Sequence, residues 1–128
     1  MFSIDNTILL VIDVQGQLAQ LMHEKEQLFK SFGTLIQGMK ILEVPILWME
    51  QIPKKLGPTT EAVSKYLIKE KPIEKFSFSC CSNPQFNEEF KKAGKTQVLL
   101  TGIETHICVF QTGYDLIHQG CEVQVVAD

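Results

Sequence analysis

Three residues that lie far apart in the chain have side chains suited to acid–base or nucleophilic chemistry: Asp13, Lys75 and Cys108. A cysteine thiolate is a strong nucleophile, a carboxylate can take up the thiol proton, and an ammonium group stabilises negative charge beside both. Each residue also has an ordinary structural explanation. Asp13 can cap the turn after a strand, Lys75 can be a solvated surface lysine, and Cys108 can be a small buried core residue. The local sequence leaves both interpretations open.

Cys108 lies near the start of a helix predicted from about His106 to Gln119. Thr105 is a suitable N-cap for this helix, which would put Cys108 at the third helical position, near the positive end of the helix dipole. A free thiol has a pKa near ~8.5, and both this position and a nearby lysine would favour the thiolate. Side chains two residues apart on a helix diverge, so a direct pair of His106 with Cys108 is not expected.

The elements that position these residues alternate between strands and helices. Strands are predicted at Thr7–Asp13, Val44–Met49, Thr96–Gly102 and Glu122–Val126, and a short strand or extended segment at Ile73–Ser79. Helices are predicted at about 25–43, after Thr59 or Thr60, from Pro84 to Gly94, and at about 106–119. Residues 51–58 are predicted to form a loop. The last helix has an apolar face made of Ile107, Phe110, Tyr114 and Ile117.

This alternation predicts an α/β fold of three layers, a Rossmann-like parallel sheet with helices on both faces. Ligands in such folds bind beyond the carboxyl ends of the strands. Asp13, the 75–79 segment and the loop after Gly102 all lie at that edge of the predicted sheet. The fold therefore gives a reason for three distant residues to meet.

The composition limits the partners that are expected. The chain has 128 residues, of which 45% are hydrophobic and 21% charged, and this is typical of one globular domain over residues 1–128. The net charge is −3 and all 12 cationic side chains are lysines, so we expect a small-molecule substrate and neither nucleic acid nor membrane. The start of the chain has no basic leader, and a cytoplasmic location is expected. The sequence lacks metal-ligand spacing and the dinucleotide and P-loop glycine motifs, so it predicts no metal and no cofactor.

Three motifs, in order, resemble those of a known family. They are Leu10-Val11-Ile12-Asp13-Val14-Gln15, Glu74-Lys75-Phe76-Ser77-Phe78-Ser79 and Thr101-Gly102-Ile103-Glu104-Thr105-His106-Ile107-Cys108-Val109. They resemble the first-strand, lysine and nucleophile motifs of the isochorismatase-like cysteine hydrolases, a family that includes nicotinamidases and related amidohydrolases. Three motifs in the right order are more specific than any one of them.

The resemblance implies a catalytic triad in which Asp13 is the base, Lys75 the cation and Cys108 the nucleophile. Such a triad cleaves an amide or related C–N bond through a thioester intermediate. The resemblance also implies a non-proline cis peptide bond between Ile103 and Glu104, which turns the backbone amides of Glu104 and Cys108 toward an oxyanion hole.

The chain departs from the family pattern in two places. Residues 50–58 contain no histidine, so the metal cluster of nicotinamidases is not expected there. Gln51 and Thr105 are candidate substrate-binding residues, although Gln51 can equally hold the loop by a hydrogen bond. Family members continue beyond the last predicted strand, so a C-terminal strand and helices are expected to be missing here. The exposed sheet edge would then favour a homo-oligomer.

Two other functions stay open at this point. A binding or scaffold protein can use the same fold without catalysis. A redox sensor can use the adjacent thiols of Cys80 and Cys81, which are poorly placed for an unstrained disulfide with each other.

Overall fold

The structure, a computed structural model, describes residues 1–127 as a parallel sheet with helices on both faces; Asp128, the last residue of the predicted domain, lies outside the described residues. The strands are β1 (Thr7–Ile12), β2 (Ile46–Gln51), β3 (Ile73–Lys75), β4 (Gln97–Gly102) and β5 (Glu122–Val125), in the order β3-β2-β1-β4-β5. The helices are α1 (Gly16–Gln20), α2 (Lys25–Ile41), α3 (Pro53–Leu56), α4 (Glu61–Ser64), α5 (Pro84–Ala93) and α6 (Phe110–His118). Short 3₁₀ turns lie at Ile4–Asn6 and Cys80–Ser82, and a π-helical turn at Thr105–Val109 leads into α6. The predicted fold class is confirmed.

The central strand β1 divides the core in two. Its side chains alternate between the faces of the sheet, and all six of its residues are buried. The even-numbered residues join the cluster that α5 and α6 cover with Phe86 and Leu116. Leu9 and Val11 join the cluster that α2 covers with Phe29 and Ile36. This double covering explains why the sequence of β1 is continuously apolar.

Helix α5 begins and ends where the sequence predicts. Asn83 Oδ1 accepts a hydrogen bond from the backbone N–H of Phe86 at 2.9 Å, and Pro84 occupies the first turn, where a backbone donor is not needed. Gly94 ends the helix with a positive φ of 65°, a conformation that glycine adopts without a steric penalty.

The last helix packs against the sheet through small residues and not through its apolar face. Phe110, Tyr114 and Ile117 are 62%, 54% and 56% exposed, and α6 instead buries Thr112, Gly113 and Leu116. A Cβ atom on Gly113 would lie 3.1 Å from a methyl of Leu100, so the helix approaches β4 closely on its small-residue side. An apolar face of α6 is therefore left on the surface.

The predicted loop on the site side is wrong. Residues 51–58 are not a continuous loop, because β2 runs to Gln51 and Pro53 begins the single-turn helix α3. Of the predicted strand or extended segment Ile73–Ser79, the structure forms a strand over Ile73–Lys75. None of the helices in the described part of the chain is long and apolar enough to cross a membrane.

Candidate active site

The carboxyl ends of three adjacent strands bring Asp13, Gln51 and Lys75 together. In the register of the sheet, Ile12 of β1 pairs with Met49 of β2, and Gln51 of β2 pairs with Lys75 of β3. Asp13 follows β1 directly and has a positive φ of 54°. The parallel arrangement therefore places the three side chains at one edge, as the sequence predicts for Asp13 and Lys75.

The ammonium group of Lys75 is fully buried at this edge. Its Nζ lies 2.7 Å from Asp13 Oδ2 and 2.7 Å from Gln51 Oε1, and it also donates to the backbone carbonyls of Ser77 at 3.0 Å and Phe78 at 3.1 Å. The side chain is 0% exposed. A buried charge is stable only when it is paired and hydrogen-bonded. The interpretation of Lys75 as a solvated surface lysine is wrong.

The carboxylate of Asp13 is held between this ammonium and a sulfur. Burial raises the pKa of Asp13 above its usual value, while the charge and hydrogen bond of Lys75, and a weaker interaction with the Cys108 thiol, act in the opposite direction. Oδ2 accepts from Lys75, whereas the buried Oδ1 accepts no well-formed hydrogen bond from the described residues. Asp13 therefore keeps one oxygen available as a proton acceptor.

The thiol of Cys108 lies beside that carboxylate and is protonated at rest. Burial raises the pKa of Cys108 to about 11, the hydrogen bond and negative charge of Asp13 raise it further, and Lys75 lowers it. The expectation that its surroundings favour the thiolate is wrong for the resting protein. The sulfur needs a base when it reacts, and the adjacent carboxylate is in position to be that base.

Cys108 is carried by a π-helical turn and not by the first turn of an α-helix. The turn begins at Thr105 and its N-cap position is Glu104, without a side-chain cap, so the predicted capping role of Thr105 is wrong. The α-helix itself begins only at Phe110. The peptide bond between Ile103 and Glu104 is cis, as the family resemblance implies.

A cavity of about 290 Å³ opens beside Asp13 and Cys108. Its wall is mainly apolar, with a few polar side chains, and consists of Asp13, Gln15, Gln17, Leu18, Gln51, Lys55, Leu56, Phe78, Ile103, Glu104, Ile107 and Cys108. Thr105 is exposed and lines a neighbouring depression instead. The cavity has the chemistry of a small-molecule site: an apolar enclosure with polar groups at one end.

Gln15 is a site residue whose role the sequence analysis missed. Its amide donates to the carbonyls of Gln51 at 3.1 Å and Gly57 at 2.7 Å, and it accepts from the N–H of Gln51 at 2.5 Å. Gly16 follows, and a Cβ there would lie 2.0 Å from the carbonyl oxygen of Leu56. A glutamine followed by glycine at the end of a buried strand was the signal that could have indicated this clamp on the 51–58 segment.

The adjacent thiols of Cys80 and Cys81 are also protonated at rest. Burial raises the pKa of Cys80 to about 12 and that of Cys81 to about 11, and all four cysteines are free. Less thiolate means slower oxidation, so these positions do not favour redox sensing. Within residues 1–127, no group of three or more His, Cys, Asp or Glu side chains is placed to share a metal ion.

The fold and the comparisons define the class of protein. The parallel α/β sheet is that of the isochorismatase-like hydrolases, and the family model described as "Isochorismatase domain" matches residues 7–128. The chain belongs to the isochorismatase family. Proteins of this family are generally hydrolases.

Several relatives are similar over nearly the whole chain. Isochorismatase domain-containing protein 2 of Danio rerio is 32% identical over 98% of this chain and 63% of its own length, and protein 2A of Mus musculus is 34% identical over 97% and 59%. Among solved structures, the MAR1 ribonuclease of Caenorhabditis elegans is 36% identical with a TM-score of 0.87, covering 98% of this chain and 64% of that one. An octameric hydrolase of unknown specificity from Escherichia coli, 23% identical with a TM-score of 0.85, covers 98% and 63% and shares the fold. The chain thus spans about three-fifths of the length of these relatives.

Proposed function

We propose that this protein is a cysteine hydrolase that cleaves an amide or related C–N bond of a small molecule through a thioester intermediate. In this proposal Cys108 is the nucleophile, Asp13 the base and Lys75 the cation. One observation carries it: a fully buried ammonium holds a carboxylate beside a thiol at the wall of an open cavity. Burying a charge pair costs free energy of desolvation. We take the presence of such a pair beside a cavity as support for a functional role of these charges.

The first half of the reaction forms the thioester. Asp13 takes the proton of the Cys108 thiol as the sulfur attacks the carbonyl carbon, so that an S–C bond forms and the π electrons move to the carbonyl oxygen. When the tetrahedral intermediate collapses, the C–N bond breaks and Asp13 returns the proton to the leaving nitrogen, which departs as ammonia or an amine. Lys75 stabilises the anionic carboxylate and sulfur.

The second half releases the acid. Asp13 takes a proton from water, the water oxygen attacks the thioester carbon, the C–S bond breaks and the proton returns to sulfur. The backbone amides of Glu104 and Cys108 are the donors that we propose for the oxyanion in both halves, and both residues line the cavity. Thr105 faces another depression, so Gln51 is the substrate-binding candidate that we retain.

The size of the cavity and the charge of the chain favour a small-molecule substrate. A volume of about 290 Å³ is at the lower end of the range for ligand pockets. One similar structure carries the name of a ribonuclease. In this chain every cation is a lysine, and the net charge is −3. RNA binding relies on neutralising several phosphates, so we propose a small amide rather than RNA as the substrate.

The direct test measures ammonia release from a panel of small amides by the wild type and by Cys108→Ala. We expect turnover that is abolished in Cys108→Ala, together with a mass increase of the wild-type protein at Cys108 when the thioester accumulates. Cys121→Ala is the matched control, because Cys121 is a free, half-buried thiol that does not line the cavity. RNA hydrolysis is assayed in parallel.

Retained turnover in Cys108→Ala would rule out the thiol as nucleophile. Complete absence of turnover and of any acyl adduct across the panel would favour a binding or scaffold protein on the same fold. RNA cleavage that depends on Cys108 would show that the substrate is RNA and not a small amide.

We further propose that the protein is cytoplasmic and self-associates, needs no metal or other cofactor, and acts without a membrane partner.

A further inference from the structure

In the side-chain amide of Gln51, the oxygen is held by a hydrogen bond and the nitrogen is not. Its Oε1 accepts from the Lys75 ammonium at 2.7 Å. An ammonium group can only donate, so the oxygen and not the nitrogen of the amide must face Lys75. The Nε2 donors then point away from Lys75 and make no hydrogen bond within residues 1–127, although Gln51 is buried and lines the cavity.

The backbone that carries this side chain is held on both sides. Gln15 accepts from the N–H of Gln51 and donates to its carbonyl, and it also donates to the carbonyl of Gly57. The amide of Gln51 is thus preorganised by Gln15 through its main chain and by Lys75 through its oxygen. Nε2 is not among the buried polar atoms that lack a partner, so it is accessible from the cavity that Gln51 lines, where it can donate to a bound molecule.

The position of this donor restricts what can satisfy it. Gln51 and Asp13 contact the same ammonium nitrogen at 2.7 Å, and Asp13 interacts with the Cys108 thiol. Gln51 and Cys108 also line the same cavity, and its limited volume of about 290 Å³ keeps a molecule that contacts the sulfur near the Gln51 side chain. The natural partner is an acceptor on the substituent next to the scissile carbonyl.

We propose that Gln51 determines specificity by donating a hydrogen bond from Nε2 to a substrate oxygen beside the scissile carbonyl, so that the site selects amides flanked by a second carbonyl over alkyl amides. This inference rests on the proposed hydrolase function, which it deepens by naming a substrate class. A site built around a hydrogen bond discriminates strongly against an analogue that lacks the partner atom, because its own donor is then left unpaired.

The test compares two amides of similar size, pyruvamide and isobutyramide, which differ in having a carbonyl or a CH–CH₃ group next to the scissile carbonyl. Gln51→Glu keeps an oxygen for Lys75 but replaces the Nε2 donor by an acceptor. We expect the ratio of kcat/KM for pyruvamide to that for isobutyramide to fall by about tenfold or more in Gln51→Glu. The intrinsic reactivity of each amide cancels when the two enzymes are compared.

Gln17→Glu is the control, because Gln17 lines the same cavity but has no contact with Lys75. The same chemical change there is expected to leave the preference for pyruvamide unchanged. An equal fall for both amides in Gln51→Glu would mean that the donor acts on the shared scissile carbonyl, and it would overturn the inference.

A binding measurement separates this inference from the proposed function. Affinities of both amides are measured on Cys108→Ala, which cannot turn over by the proposed route, and on Cys108→Ala with Gln51→Glu. We expect Cys108→Ala to bind pyruvamide about tenfold more tightly, and the second substitution to remove that difference. Equal affinities, binding of neither amide, or a preference that survives Gln51→Glu would overturn the inference, whereas the hydrolase proposal fails only on turnover.

An NMR measurement tests the proposed hydrogen bond without a Gln51 variant, so the inference can be tested even where Gln51→Glu does not fold. The side-chain NH₂ resonances of Gln51 in Cys108→Ala are expected to shift with pyruvamide and not with isobutyramide. Resonances that stay unchanged with saturating pyruvamide would contradict the proposed hydrogen bond.

Discussion

At the scale of single residues, the pKa values of Asp13 and Cys108 depend on each other and on the charge of Lys75. The ammonium offsets the cost of burying the carboxylate, and the carboxylate in turn raises the pKa of the thiol. The resting arrangement that follows is a protonated thiol beside a carboxylate that can accept its proton. A protonated thiol is also oxidised more slowly than a thiolate.

Loss of the Lys75 charge is expected to destabilise the fold. In Lys75→Met the buried Asp13 carboxylate loses its partner, and breaking a buried ion pair costs about 3–5 kcal/mol. The free energy of unfolding is measured by urea denaturation, with the exposed Lys71→Met as control, which we expect to change it by less than about 0.5 kcal/mol. Equal effects at both positions would show that the ion pair contributes little.

The pH dependence of Cys108 alkylation reports directly on Asp13. Iodoacetamide labelling of wild-type Cys108 is expected to rise with pH toward about 11, the pKa of the buried thiol. Asp13→Asn removes a negative charge that opposes the thiolate, so the pKa falls and the labelling curve moves to lower pH. Peptide-level mass spectrometry follows each site, with the fully buried Cys80 expected to stay unlabelled. A shift to higher pH, or none, would mean that Asp13 does not act on this sulfur.

At the scale of elements, a glycine allows the start of α1 and the end of α3 to approach each other closely. Gly16 has a positive φ of 47°, and its N–H donates to the carbonyl of Pro58 at 3.1 Å. A side chain there would run into the carbonyl of Leu56, at the end of α3. Since Lys55 and Leu56 form part of the cavity wall, the shape of the cavity depends on this close approach.

Gly16→Ala and Gly38→Ala are expected to have opposite effects on stability. Alanine at position 16 is strained and collides with main-chain atoms, so we expect a loss of at least about 2 kcal/mol in the free energy of unfolding. Gly38 lies within α2, and a Cβ there would meet nothing within 4 Å. Alanine at position 38 should therefore stabilise by up to about 1 kcal/mol. Chemical denaturation checks both, and a harmless Gly16→Ala would show that α3 moves freely.

At the scale of the whole molecule, the described surface retains an apolar face. Phe110, Tyr114 and Ile117 on α6 are more than half exposed, and the edge strand β5 exposes Val125. Exposed apolar faces and open sheet edges favour association. Self-association through α6 is the expectation that follows from this surface.

Phe110→Lys is expected to shift the protein toward the monomer. The lysine places a charge at the start of the exposed α6 face, where association would have to desolvate it. Sedimentation velocity over a range of concentrations measures the change. Ile68→Lys is the control, because Ile68 is 81% exposed and lies beside Leu67 and the opposite core cluster. An assembly that resists Phe110→Lys but not Ile68→Lys would place the interface on that other side.

The features that the sequence determined by itself are those that depend on residue type and on the spacing of apolar residues. Continuous apolar runs indicated buried parallel strands. Pro84 and Gly94 indicated where α5 begins and ends. The strand ends that carry Asp13 and Lys75 were expected to meet because parallel strands share their carboxyl edge. The family motifs added Cys108 to that edge. These features depend on residue type and spacing, which the sequence contains.

Tertiary structure alone decided the features that depend on distant contacts. The burial of Lys75, the orientation of the Gln51 amide and the clamp made by Gln15 arise from residues 24 to 62 positions apart. The face that α6 buries was decided by how closely Gly113 lets it approach β4, which outweighed the apolar pattern of the helix. The raised pKa of Cys108 likewise comes from burial and the Asp13 charge, so it became visible only once the fold had placed a carboxylate beside the sulfur.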